Sequence, residues 1–173
     1  SNLFNLIKFS KLKKSPISVN LIMSNNPKSK GLKFAKTFRI KKIIFNLKKK
    51  NLDEKKILKT LKERDIGLIC LAGFMKILSK NFIKSFKGKI LNIHPSILPK
   101  YKGLNTHKRV IENKEKFTGC TVHYVSAKLD SGKIIIQKKI KIEKNDTPRK
   151  LAKKVLIQEH KLYPKAILTI FNL

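Results

Sequence analysis

Residues 89–109 read KILNIHPSILPKYKGLNTHKR, and the reading of this stretch decides the fold. The apolar pair Ile90-Leu91 leads into Asn92-Ile93-His94 and then Pro95, which has no amide donor and so ends a strand ladder. Residues two apart on a strand share a face, so Asn92 and His94 point the same way. A loop bounded by Pro95, Pro99 and Gly103 follows. Ligands of open α/β sheets sit beyond the carboxyl ends of the strands. An amide and an imidazole aimed there can bind and protonate an oxygen that gains negative charge. A lone histidine at a strand end is more often an ordinary polar residue. The Asn partner on the same face and the proline-bounded loop behind it favour a site.

Upstream of this stretch, Ile66–Ala72 is a continuous apolar run, as expected for a central parallel strand. Gly73 then allows a tight turn, and Ser79 caps a helix reaching about Phe86. Apolar residues at 57, 58 and 61 predict a helix over Asp53–Arg64 with Asp53 as its cap. Strands are expected at Ile17–Met23 and Phe38–Phe45, with a short helix over Ser29–Lys36 between them. Ser1 or Asn2 can cap a first helix whose apolar face is Leu3, Phe4, Leu6 and Ile7.

Downstream, Thr106–Glu112 reads as a short helix and Phe117–Val125 as a strand with Thr121 and His123 on one face. Ser126–Gly132 is a loop, and Ile134–Ile142 alternates like a strand near a sheet edge. Thr147-Pro148 starts a helix with proline in its harmless first turn. Pro164 is expected to interrupt that helix. Strands and helices alternate, the pattern of an α/β layered fold, in a single domain spanning 1–173 without internal repeats.

The formal charge of +32 has two readings. A nucleic-acid or anionic-membrane binder would concentrate its basic residues on one face. Here 38 lysines are spread along the chain, and no zinc-finger pattern or aromatic ladder accompanies them. The abundance of Lys, Ile and Asn matches A/T-rich codons. No specific nucleic-acid partner and no membrane partner are therefore expected, although a positive field helps attract phosphorylated small molecules. Cys70 and Cys120 lie in apolar runs and read as small core residues of a reduced, cytoplasmic protein.

The segment Leu91–Arg109, LNIHPSILPKYKGLNTHKR, resembles the active-site signature of the folate-dependent formyltransferases. The Asn-x-His-Pro-Ser-x-Leu-Pro core is shared across that family. The residues after Gly103, Leu104-Asn105-Thr106-His107, resemble the branch that formylates glycinamide ribonucleotide in purine synthesis. The resemblance extends from Ser1 to about Phe171. It implies a three-layer Rossmann-like formyltransferase fold with a mostly parallel sheet. The implied substrates are glycinamide ribonucleotide and the co-substrate 10-formyltetrahydrofolate. It implies no metal, and a monomer or weak homodimer. Other readings are a family relative acting on a tRNA, a sugar nucleotide or water, and a non-enzymatic basic binding module.

The resemblance also assigns residues. Asn92 and His94 are the implied catalytic pair. Asp130, in Leu129-Asp130-Ser131-Gly132, would approach His94; a nearby carboxylate favours the imidazolium, the form that acts as a general acid. An Asp in a Gly-bounded loop is otherwise more often a turn former. Folate contacts are implied for Lys50, Phe74, Met75, Lys76, Ile77, Leu78, Asn92, Leu129 and Asp130, with Lys50 and Lys76 standing where relatives often carry Arg. Without the resemblance, residues 74–78 read equally as core packing. Ser1, Asn2, Gln158 and Glu159 are the implied ribonucleotide contacts, and His107, Thr121 and His123 are supporting residues. In the family a first strand and a Gly-rich turn lead into the helix that Ser1-Asn2 opens. The chain is accordingly expected to be N-terminally truncated, missing that strand and most of the phosphate loop, and to be unstable with weak ribonucleotide binding.

Overall fold

The structure, a computed structural model, describes residues 1–45 and 50–173, without the side chains of 50–52. Its elements are α1 (Asn2–Ser10), β1 (Leu21–Ser24), α2 (Lys33–Thr37), β2 (Lys41–Ile44), α3 (Lys50–Glu63) and β3 (Leu68–Leu71). These are followed by α4 (Lys80–Ser85), β4 (Lys89–His94), α5 (Thr106–Glu112), β5 (Phe117–Tyr124), β6 (Ile134–Lys141) and α6 (Pro148–Ile170). A 3-10 turn, Lys30–Leu32, precedes α2.

The strands form two sheets. β1 pairs with β2 in parallel, and the second sheet has the order β3-β4-β5-β6. β3 and β4 are parallel, whereas β4–β5 and β5–β6 are antiparallel. The Phe45 ring, just past β2, lies 6.5 Å from that of Phe74, just past β3. The carboxyl ends of β2 and β3 therefore lie together, and the two parallel pairs present their ligand-binding ends on the same side.

β3 was expected at the centre of a sheet and stands at an edge. All four of its residues are only half-buried, because among the described residues no strand pairs with its free side. A largely apolar cleft of about 1200 Å³ separates it from β1, lined by Leu21, Ile22 and Met23 on one wall and Leu68, Ile69 and Cys70 on the other.

The main core lies between β4–β6 and the helices α1 and α6. Leu91, Val122, Leu151, Val155, Tyr163 and Ile167 are fully buried there. A second cluster packs Ile57 and Leu61 of α3 against Phe82, Phe86 and Ile90. Burial of each such side chain stabilises by about 1.5–3 kcal/mol.

Several local expectations change. The strands expected from Ile17 and from Phe38 begin only at Leu21 and Lys41. Asp53 lies inside the first turn of α3, not at its cap. Pro164 does not interrupt α6, which runs unbroken to Ile170. The proline removes the amide that would bond the His160 carbonyl, four residues back. The Asn5 side-chain amide donates to that carbonyl instead. Buried Tyr163, Ala166 and Ile167 hold the helix to the sheet across the proline.

Candidate active site

β4 is buried on both faces up to its last residue, and His94 ends it at 5% exposure. Asn92 faces His123 across the antiparallel pairing with β5, and His94 faces Thr121. The loop Ser126–Gly132 returns Asp130 to the same place, since β5 and β6 are neighbours and the loop between them closes over the end of β4. Residues 38 apart in the chain thus share one polar cluster.

Asp130 is the hub. Its Oδ2 lies 3.3 Å from His94 Nδ1 and accepts the Gly103 amide at 2.9 Å. Its Oδ1 accepts from Asn92 Nδ2 at 3.5 Å and lies 3.7 Å from His123 Nε2. Gly103 and Asp130 both have positive φ, at 78° and 44°. For Gly103 this is unstrained, and it turns the amide toward the carboxylate.

The ring nitrogens of the two histidines have different surroundings. His94 Nε2 lies 2.8 Å from the Tyr101 carbonyl, so this nitrogen carries hydrogen. Asp130 Oδ2 stands beside the other ring nitrogen, Nδ1. His123 Nδ1 donates to the Tyr124 carbonyl at 2.8 Å, leaving Nε2 to accept from Asn92 Nδ2 at 3.3 Å. Burial pushes His123 below the usual histidine range, against smaller opposing effects of the Tyr124 carbonyl and Asp130. Burial thus disfavours the charged form of His123, while His94 stands between the Asp130 carboxyl and the Tyr101 carbonyl.

Thr121, fully buried, donates to the Ser96 carbonyl at 2.6 Å and accepts the Leu98 amide at 3.1 Å. Gln137 on β6 donates to Thr121 Oγ1 and to the Leu98 carbonyl. This bracket holds the loop after His94, and Gln137 was not singled out by the sequence. Tyr101, Glu115 and Arg109 were missed as well.

Ser1 caps α1 by accepting the Phe4 amide. Asn2 Nδ2 donates to Glu159 Oε2 at 2.7 Å, and Glu159 is buried, which raises its carboxyl above the usual range. Gln158 is half-buried beside it. Asn2 Oδ1 is buried without a partner. His107 lies in the first turn of α5, its Nδ1 also buried without a partner, and burial and the neighbouring His94 lower its ring below the usual range.

In the 74–78 segment, Phe74 and Leu78 belong to the second core cluster, as the packing reading expected. Met75 and Ile77 are 74% and 51% exposed, Lys76 is exposed, and Leu129 is 49% exposed. The Lys50 side chain lies outside the described residues. Burial pushes the thiols of Cys70 and Cys120 up to about 12, so neither offers a thiolate near neutral pH. Among the described residues no cluster of three His, Cys, Asp or Glu is arranged to hold a metal, and no helix is long and apolar enough to cross a membrane.

The formyl transferase family model matches residues 1–167. The chain belongs to the formyl transferase family. It is 40% identical over 155 residues to phosphoribosylglycinamide formyltransferase of Haemophilus influenzae, covering 88% of this chain and 73% of that protein. It is 38% identical over 170 residues to the human trifunctional purine biosynthetic protein adenosine-3. There it covers 96% of this chain but spans only 17% of the relative's length. The crystal structure of phosphoribosylglycinamide formyltransferase from Anaplasma phagocytophilum superposes with a TM-score of 0.89 at 39% identity, covering 96% of this chain and 78% of that one. The enzyme of that name from Bacillus halodurans gives a TM-score of 0.92 at 32% identity, covering 98% and 89%. The α/β formyltransferase fold expected from the signature is thereby established.

Proposed function

We propose that this chain transfers the formyl group of 10-formyltetrahydrofolate to the primary amine of glycinamide ribonucleotide, a step of purine synthesis. The observation that carries the reading is Asp130 reaching both His94 and Asn92 at the end of β4. Relatives bearing this enzyme's name over most of the chain support the choice of substrates.

The amine nitrogen attacks the formyl carbon, and a carbon–nitrogen bond forms as the carbonyl oxygen becomes an oxyanion. As that charge develops, His94 Nδ1–H and one N–H of Asn92 turn from Asp130 to the oxygen. Donors fixed in advance stabilise developing charge without reorganising. Asp130 orients His94 and takes the proton released by the amine, directly or through one water. The bond from the formyl carbon to the folate nitrogen then breaks, and that nitrogen receives a proton. His123, kept neutral, leaves Asn92 with a fixed orientation. The direct route uses no covalent enzyme intermediate, in keeping with the protonated thiols.

The exposed apolar side chains Met75, Ile77 and Leu129 are available to a flat folate ring. We read Ser1, Asn2, Gln158 and Glu159 as the ribonucleotide contacts; the buried Asn2 Oδ1, without a partner beside Glu159, supports this reading. Two free cysteines suit a reducing, cytoplasmic setting, and we read the protein as a monomer or weak dimer. The deciding assay follows loss of 10-formyltetrahydrofolate on addition of glycinamide ribonucleotide. Amine-dependent turnover is expected. Turnover without the amine, or only with another acceptor, would overturn the reading.

A further inference from the structure

We propose that Tyr101 and Glu115 are positioning residues that fix which nitrogen of His94 carries the transferable proton. The proposal rests on the reading of His94 as the acid.

The Tyr101 carbonyl accepts from His94 Nε2 at 2.8 Å. Tyr101 holds φ at 57°, a left-handed conformation that residues with a Cβ adopt at a cost and only when their surroundings enforce it. Here the enforcement comes from side chains on other elements. The Tyr101 hydroxyl donates to Glu115 Oε1 at 2.9 Å, and Lys100 Nζ donates to the same oxygen at 3.1 Å. The Tyr101 hydroxyl, with Lys100, holds the Glu115 carboxyl below the usual range, so it is a charged acceptor. Arg109 lies over the Tyr101 ring at 5.4 Å and donates to the Lys102 carbonyl at 2.6 Å. Ser96 donates to the Lys100 carbonyl at 2.6 Å. The peptide on each side of Tyr101 is therefore anchored, and its own carbonyl is aimed by them.

Glu115 and Tyr101 line a separate hollow of about 290 Å³ with Ile97, Val110, Phe117 and Thr118. None of Asn92, His94 or Asp130 lines it, so Glu115 acts on the site through Tyr101. The consequence is a tautomer rule. With Nε2 committed to a carbonyl, neutral His94 keeps its hydrogen there and its lone pair on Nδ1. Ionisation then adds the proton at Nδ1, beside Asp130. When the carbonyl turns away, Asp130 draws the single hydrogen of the neutral ring to Nδ1, and the nitrogen facing Asp130 no longer gains and loses it.

The test is ¹⁵N NMR of the histidine rings at alkaline pH, with thermal melting of each variant as a folding control. The wild-type chain is expected to show the Nε2–H pattern for His94. Tyr101→Phe and Glu115→Ala are each expected to move at least half of the population to Nδ1–H. Glu115→Gln, which keeps an acceptor oxygen, is expected to restore the wild-type pattern. In the transfer assay Tyr101→Phe and Glu115→Ala should lower kcat about tenfold with both KM values within about twofold, and the double variant should be no worse than either. An unchanged Nε2–H pattern in both folded variants overturns the proposal, as does failure of Glu115→Gln to restore it. Absence of turnover in the wild type would overturn the proposed function alone, because the tautomer measurement needs no substrate.

Discussion

Asn2 donates to the buried carboxyl of Glu159 at 2.7 Å, joining the first turn of α1 to the middle of α6. Burial raises the Glu159 pKa above its ordinary value of 4.5. The folded state then binds the proton more tightly than the unfolded state, so this group's contribution to stability is greatest at low pH. That contribution falls as pH rises from about 4.5 through the folded value. Glu159→Gln keeps an acceptor for Asn2 and removes the titration. Relative to this variant, the wild type is expected to lose stability as pH rises above about 4.5, measured by urea unfolding at a series of pH values. Parallel curves for the two proteins would contradict the assignment.

The Asp130 contacts make a kinetic prediction. His94→Ala should lower kcat by about 10²–10⁴-fold, the usual range for acid–base groups. Asp130→Asn should lower it as well. It retains one oxygen for the Gly103 amide, so its melting temperature should stay near that of the wild type. Near-normal turnover in Asp130→Asn would remove Asp130 from the mechanism.

The His160 carbonyl, freed by Pro164 and bonded by Asn5, predicts a coupling. Asn5→Ala leaves a part-buried carbonyl without its donor and should destabilise by about 1–3 kcal/mol. Pro164→Ala returns a backbone amide to that carbonyl. In that background the cost of Asn5→Ala should fall by about 1 kcal/mol. Denaturant unfolding of the four proteins measures the difference; strictly additive effects would mean that Asn5 stabilises by other means.

The facing edges of β1 and β3 predict a response to strand addition. Among the described residues each pairs with a strand on one side only, and the cleft between them is largely apolar. We expect an apolar segment of about five to six residues, fused ahead of Ser1, to pair between them. The fused chain should melt higher, aggregate less and bind glycinamide ribonucleotide more tightly than the 173-residue chain. Equal stability and binding with and without the segment would show that the cleft has no use for a strand.

The dispersed lysines predict duplex DNA binding no tighter than roughly 10⁻⁶ M near physiological salt, without sequence preference. Titration of a labelled duplex at several salt concentrations checks this. Sequence-selective nanomolar binding would make nucleic acid a partner in its own right.

Short-range chemistry made much of this molecule legible in the sequence. Pro95 after His94, Ser79 before Lys80 and Thr147-Pro148 act within one turn or one strand, so β4, α4 and α6 begin or end where their residues require. The same-face placement of Asn92 and His94 follows from strand geometry alone. The approach of Asp130 was carried only by the family signature, because nothing within Leu129–Gly132 says where the loop will land.

Tertiary structure decided the rest. Pro164 breaks a helix by local rules, and here the distant Asn5 replaces the lost hydrogen bond while buried Tyr163, Ala166 and Ile167 hold the helix across it. The apolar run at 66–72 reads as a central strand because hydropathy reports what a strand can bury. Whether it is buried depends on a neighbour, and among the described residues β3 has one on only one side. Tyr101, Glu115 and Gln137 are unremarkable in sequence. They matter through a carbonyl direction and an amide bracket, and backbone groups carry no sequence signal of their own. Residue types and short spacings therefore set which groups are available, while the pairing of β4 with β5 and the closure of two loops set which groups meet.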